Sequence, residues 1–126
     1  MDKKEWEAIA SRAESLVALF EKDKDEMVKM YLTDSDTLAN KLIAKMNLTR
    51  EQKLILDDLV DILVCESYRA VLYALDGCNS IGGIQQAYKI YTEDGSLVSD
   101  GGYISGAIGD LEALEDRNTK KKEGKI

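Results

Sequence analysis

Up to residue 75, apolar residues recur at helical spacing; after a glycine-rich loop they alternate over residues 84–91. Trp6, Ile9, Ala13, Leu16, Val17 and Phe20 fall three and four residues apart, the period of one helix face. They predict an amphipathic helix over about residues 3–31. Asp2 and Glu5 have the spacing of a capping box, with Asp in place of Ser or Thr. Met27, Val28 and Tyr31 extend the pattern, although the polar run EKDKDE before them allows a break.

After the turn-rich TDSD comes a short helix with Leu38, Leu42, Ile43 and Met46 as its expected buried stripe. Asn47 ends it, and Thr49 with Gln52 forms a capping box for the next helix. That third helix is expected over about residues 50–75. Leu54, Ile55, Leu59, Ile62, Leu63, Cys65, Ala70, Val71, Ala74 and Leu75 make it apolar on most sides. A helix apolar nearly all round belongs in the middle of a fold, so it is expected to be the buried centre.

Gly77 reads as a helix C-cap, and Gly82-Gly83 as a bend. Ile84, Tyr88 and Ile90 then alternate with Gln85, Ala87, Lys89 and Tyr91, and Glu93-Asp94-Gly95 is a hairpin turn signal before a returning strand at Ser96–Ser99. Residues 103–116 read either as a strand or as a short C-terminal helix, with Ile108, Leu111 and Leu114 on one side and Gly106 and Gly109 weakening it. We take the helix. The expected fold is therefore α+β: three N-terminal helices around the third, a β-hairpin and a short last helix. A lone hairpin is marginal in water. It needs the helices, a third strand from residues 102–108, or a second copy pairing along its edge, which would make the chain a homodimer.

Length and charge refine this picture. The 126 residues suit one domain, expected over 1–116, with a basic flexible tail over 117–126. Residues 1–116 carry 12 Lys/Arg and 23 Asp/Glu, a net −11, whereas 117–126 carry five basic residues and one acidic, a net +4. Such an acidic body repels polyanions, so nucleic acid is not the expected partner. The N-terminal MDKKEWEAIA lacks a signal-peptide core, and no apolar run approaches the roughly 20 residues needed to span a bilayer. A cytoplasmic protein with no membrane partner is expected.

The chain has no histidine, which excludes Ser-His-Asp and Cys-His catalysis and His-ligated metals. Its two cysteines, Cys65 and Cys78, cannot close a zinc site by themselves. No cofactor is expected. The loop DGCNSIGG lacks both phosphate-binding fingerprints and runs from helix into strand, the reverse of a phosphate cradle.

Two groups carry candidate chemistry. Asp57, Asp58 and Asp61 stand at i, i+1 and i+4 on the third helix. Such carboxylates hold Mg²⁺ when phosphates and water complete the octahedron, which gives the alternative reading of a nucleotide phosphohydrolase. The first helix offers no matching acidic pair, and the same residues also read as a solvated stripe. The second group is Tyr88 and Tyr91 of the hairpin, since tyrosine is enriched at interfaces.

The stretch LYALDGCNSIGGIQQAYKIYTEDGSLVSDGG resembles segments of small acidic bacterial proteins of a helix-then-hairpin type, through LDG, GGIQQ and EDG. Some proteins of that kind are immunity partners of bacterial toxins. The resemblance implies a bacterial binding protein and transfers no functional residue. Together with the acidic body, it makes a protein-binding module the preferred reading, an immunity-like or regulatory partner of a basic protein. Asp57, Asp58, Asp61, Tyr88 and Tyr91 are its candidate contacts.

Overall fold

Four helices and one hairpin follow in the order α1 (Lys3–Thr33), α2 (Leu38–Lys45), α3 (Arg50–Leu75), β1 (Ile90–Tyr91), β2 (Leu97–Ser99) and α4 (Tyr103–Glu123). This computed structural model describes the backbone of residues 1–123 and the side chains of residues 1–117. The class is α+β, as the periodicity predicts. Among the described residues no helix is long and apolar enough to cross a membrane.

Local chemistry sets the helix ends. The Glu5 amide donates to Asp2 Oδ1 at 2.8 Å, which caps α1. The polar run EKDKDE does not interrupt that helix: Lys22, Asp23, Asp25 and Glu26 are exposed, and the half-buried Glu21 and Lys24 pair with each other. Thr37 caps α2 by accepting from the Asn40 amide, and Asn47 ends it with φ at 50°. Thr49 and Gln52 form the predicted box reciprocally: the Gln52 amide donates to Thr49 Oγ1 at 3.1 Å, and the Thr49 amide to Gln52 Oε1 at 3.0 Å. At the far end of α3 the Cys78 amide donates to Tyr73 O and the Gly77 amide to Ala74 O, the bonding of a Schellman motif. Gly77 sits at φ 85° with the Ala87 backbone close by, and a Cβ there would lie 3.1 Å from Ala87 Cβ.

The chain forms two compact units, Met1–Ala18 with the segment from Ala70 onward, and Leu19–Arg69. In the first, the buried apolar residues are Ile9, Ala13 and Val17 of α1, Leu72 and Ala74 of α3, Val98 of β2, and Ile104 and Ile108 of α4. The hairpin is shorter than the alternation predicts. Residues 84–89 make only isolated bridges, Ile81 with Ile84 and Asp76 with Ala87. Gly82 and Gly83, both at positive φ, turn the chain back at once. β1 and β2 pair antiparallel with a bulge at Ile90/Tyr91, and Arg12 of α1 donates through Nε to Leu97 O at 2.7 Å. No third strand joins them among the described residues, because Tyr103 starts α4 instead.

Asp76 explains that start. Its carboxylate accepts from Ser99 Oγ at 2.5 Å, the Gly102 amide at 2.8 Å, and Ser105 through both N and Oγ at 2.8 and 2.7 Å. One buried side chain thus fastens the end of α3 to β2 and caps α4 from a distance. Burial alone would raise the carboxyl's pKa, but these four hydrogen bonds outweigh it and hold the group below its ordinary 3.8. The last helix, expected short, runs to Glu123 and so includes part of the segment read as a tail. Residues 124–126 of that tail lie outside the described residues.

In the Leu19–Arg69 unit the burial expectations are corrected. None of its residues, all of them described, is buried. The stripe of α2 expected to be buried is open at Leu38, Leu42 and Met46. The buried centre predicted for α3 is found only at Leu72 and Ala74, in the other unit. Apolar composition shows what a helix would gain from burial; it does not supply the surface that would cover it.

Candidate partner-binding face

Within Leu19–Arg69, α1 and α3 meet through one side of each. Phe20 and Tyr68 pack edge to face, with ring centroids 5.9 Å apart. Met27, Tyr31, Leu63, Val64, Ser67 and Tyr68 line a cleft of 270 Å³ beside them. Polar ties close the contact: Tyr68 Oη donates to Asp23 Oδ2 at 2.7 Å and Arg69 Nε to Glu21 Oε1 at 3.1 Å. Lys24 adds ion pairs to Glu21 and Asp25 at 3.5 and 3.0 Å. Burial would lower the Lys24 pKa, but its hydrogen bond to Asp25 and the surrounding negative charge outweigh this and raise it. The hydrogen bond to Asp23 likewise raises that of Tyr68. The Asn40 amide group donates to Tyr31 O at 3.3 Å and ties α2 to α1.

This packing uses only the side of α3 that carries the half-buried Leu56, Val60 and Val64. At about 100° per residue, Ile55, Leu59 and Ile62 fall together on the other side, with Leu63 at their margin. They are exposed to 64, 48, 51 and 52 % respectively. A stripe of that width normally faces a core; this one faces water.

The carboxylates sort themselves around it. Asp57 lies towards the covered side, half-buried and paired with Lys53 Nζ. Asp58 and Asp61 are exposed and, with Glu51, follow one edge of the apolar stripe. The three aspartates therefore do not converge, and among the described residues no group of three acidic or cysteine side chains is placed to hold a metal ion. That geometry gives the phosphohydrolase alternative no support. No disulfide joins Cys65 and Cys78.

Tyr88 and Tyr91 belong to the other unit and are exposed there, the Tyr88 hydroxyl accepting from Gln86 Nε2 at 3.0 Å. The glycine-rich loop is turn chemistry, as its residues predict. Sequence reasoning missed two groups. The core expected around α3 includes Ile55, Leu59, Ile62 and Leu63, although a helix apolar on two sides needs two covering surfaces and the elements predicted before it offer few. Asp76 carries no local signal in the sequence, because its partners lie 23 to 29 residues ahead. No family model, no curated protein and no solved structure matches this chain.

Proposed function

We propose that the chain is a protein-binding module that docks a basic partner on the outer side of α3, in the manner of an immunity-like or regulatory protein. The observation that carries this reading is the exposed stripe Ile55–Leu59–Ile62–Leu63. Complete burial of one such side chain is worth about 1.5–3 kcal/mol, so four that are half-covered leave roughly 3–6 kcal/mol for a partner to gain. The edge formed by Glu51, Asp58 and Asp61 supplies direction. An acidic rim attracts a cationic partner over long range and raises its association rate. It also works against self-pairing, because α3 laid antiparallel on a second α3 about Leu59 brings Asp61 towards Asp58 of the other copy.

A cationic amphipathic peptide of Leu and Lys, with a scrambled control, tests the reading. Calorimetry should show saturable binding to the wild type that weakens with salt and is lost in Ile62→Asp. In Asp58→Asn/Asp61→Asn the association rate should fall while dissociation changes little. Equal binding of the scrambled peptide, or unchanged binding to Ile62→Asp, would overturn it.

A further inference from the structure

A second site stands on the other unit and does not depend on the α3 face. Trp6, Ala10 and Glu14 follow one line along α1, one turn apart; Tyr103, Gly106, Ala107 and Asp110 do the same along α4. With Gly102 these residues line a groove of 140 Å³. A cavity of on the order of 150 Å³ accommodates a benzene-sized group. The Tyr103 hydroxyl reaches Met1 Sδ at 3.7 Å, which places that ring at the N-terminal end of α1, where Trp6 also stands, 54 % exposed.

The lining combines three kinds of surface: two aromatic rings, a floor of small apolar residues (Ala10, Gly106, Ala107), and the carboxylates of Glu14 and Asp110 from opposite walls. Among the described residues neither carboxylate has an ion-pair partner. On the α4 side positive charge is scarce, since residues 70–116 contain eight acidic side chains and Lys89 as their one basic side chain; of the basic residues of α1 in this unit, Lys3 pairs with Glu7 and Arg12 donates to Leu97 O. The positive end of the α4 dipole would oppose a cation at Gly102–Tyr103. Asp76 already offsets it through the Gly102 and Ser105 amides.

We infer that this groove binds the side chain of an arginine presented by a protein partner. A guanidinium is flat and weakly hydrated, stacks on aromatic rings, and donates in a fork that matches carboxylates. Its methylene stem suits the small apolar floor. A lysine ammonium, compact and strongly hydrated, gains less from rings and floor.

Trp6 is the sole tryptophan, so its fluorescence reports on this groove alone. Titration with N-acetyl-arginine amide should give a saturable change. The lysine analogue should bind several-fold more weakly, and free arginine no more tightly than the amide. Glu14→Gln and Asp110→Asn should each weaken the arginine amide about tenfold, as expected for losing a hydrogen bond to a charged group, with the unfolding midpoint unchanged. No saturable response, equal affinity in both variants, or a clear preference for free arginine would overturn the inference. Because both substitutions lie at exposed positions, loss of folding does not confound the reading. Gly106→Leu, which fills the floor where an added Cβ meets nothing within 4 Å, should abolish the response. Retained binding in that variant would also count against it.

Discussion

Residues 50–69 and 70–75 belong to one continuous helix, yet they meet different surroundings. In the last six residues Leu72 and Ala74 are buried, within the unit that also buries Val98, Ile104 and Ile108. In the first twenty, Ile55, Leu59, Ile62 and Leu63 are equally apolar and half-exposed. Propensity cannot account for the contrast, because the helix forms throughout. The difference is what stands opposite. The C-terminal end of α3 turns through a Schellman motif into Asp76, whose hydrogen bonds bring β2 and α4 to it. The earlier part has α1 on one side and, on the other, nothing from its own unit. The first unit thus buries an apolar core, whereas the second leaves one apolar side of α3 exposed.

Substitutions at matched apolar positions should break this symmetry most strongly. Ile104→Ala or Leu72→Ala should cost about 2–5 kcal/mol in chemical denaturation, the range for emptying a packed site. Ile55→Ala or Ile62→Ala should change the isolated chain by no more than about 0.5 kcal/mol. A comparable loss at Ile62 would show that the α3 face is covered within the chain.

Next in size is the polar anchor of the first unit. Asp76→Asn should lower stability at neutral pH by about 2–3 kcal/mol, because the neutral amide keeps one acceptor oxygen in place of two charged ones and its Nδ2 must face either Ser99 Oγ or the Gly102 and Ser105 amides. The pH dependence has a defined sign. A carboxyl held below its ordinary 3.8 contributes fully above that value, and the contribution fades as pH falls through the lower folded value. Wild type should therefore lose stability steeply below about pH 4, while Asp76→Asn shows a flatter acid limb. Identical limbs would remove Asp76 from that role.

A smaller effect is expected at the start of α3. Thr49→Ala removes the acceptor for the Gln52 amide and should cost about 1 kcal/mol. Hydrogen exchange should place that loss at residues 50–53, with little change at 104–108. The smallest effect is expected from Ile62→Ser, near zero on the stability of the free chain, with a measurable fall in binding of the cationic amphipathic peptide.

The sequence by itself determined the features that rest on neighbours within a few residues. The bounds of α3, the Thr49–Gln52 box, the stop at Asn47, the C-cap at Gly77 and the turn at Glu93-Asp94-Gly95 each depend on local backbone geometry and short-range hydrogen bonds. Composition alone settles the exclusion of histidine-based chemistry. Tertiary structure decided three further things. It limited the alternating run 84–91 to a two-residue strand, because the turn at Gly82-Gly83 and the bridge from Ala87 to Asp76 take up the backbone first. It made residues 103–123 helical, since Asp76 offers a cap that a local reading of Gly101-Gly102 cannot contain. And it decided which apolar faces are covered. Periodicity reports that a face is apolar, but burial requires a second surface in contact with it. For Ile55, Leu59 and Ile62 the Leu19–Arg69 unit supplies none.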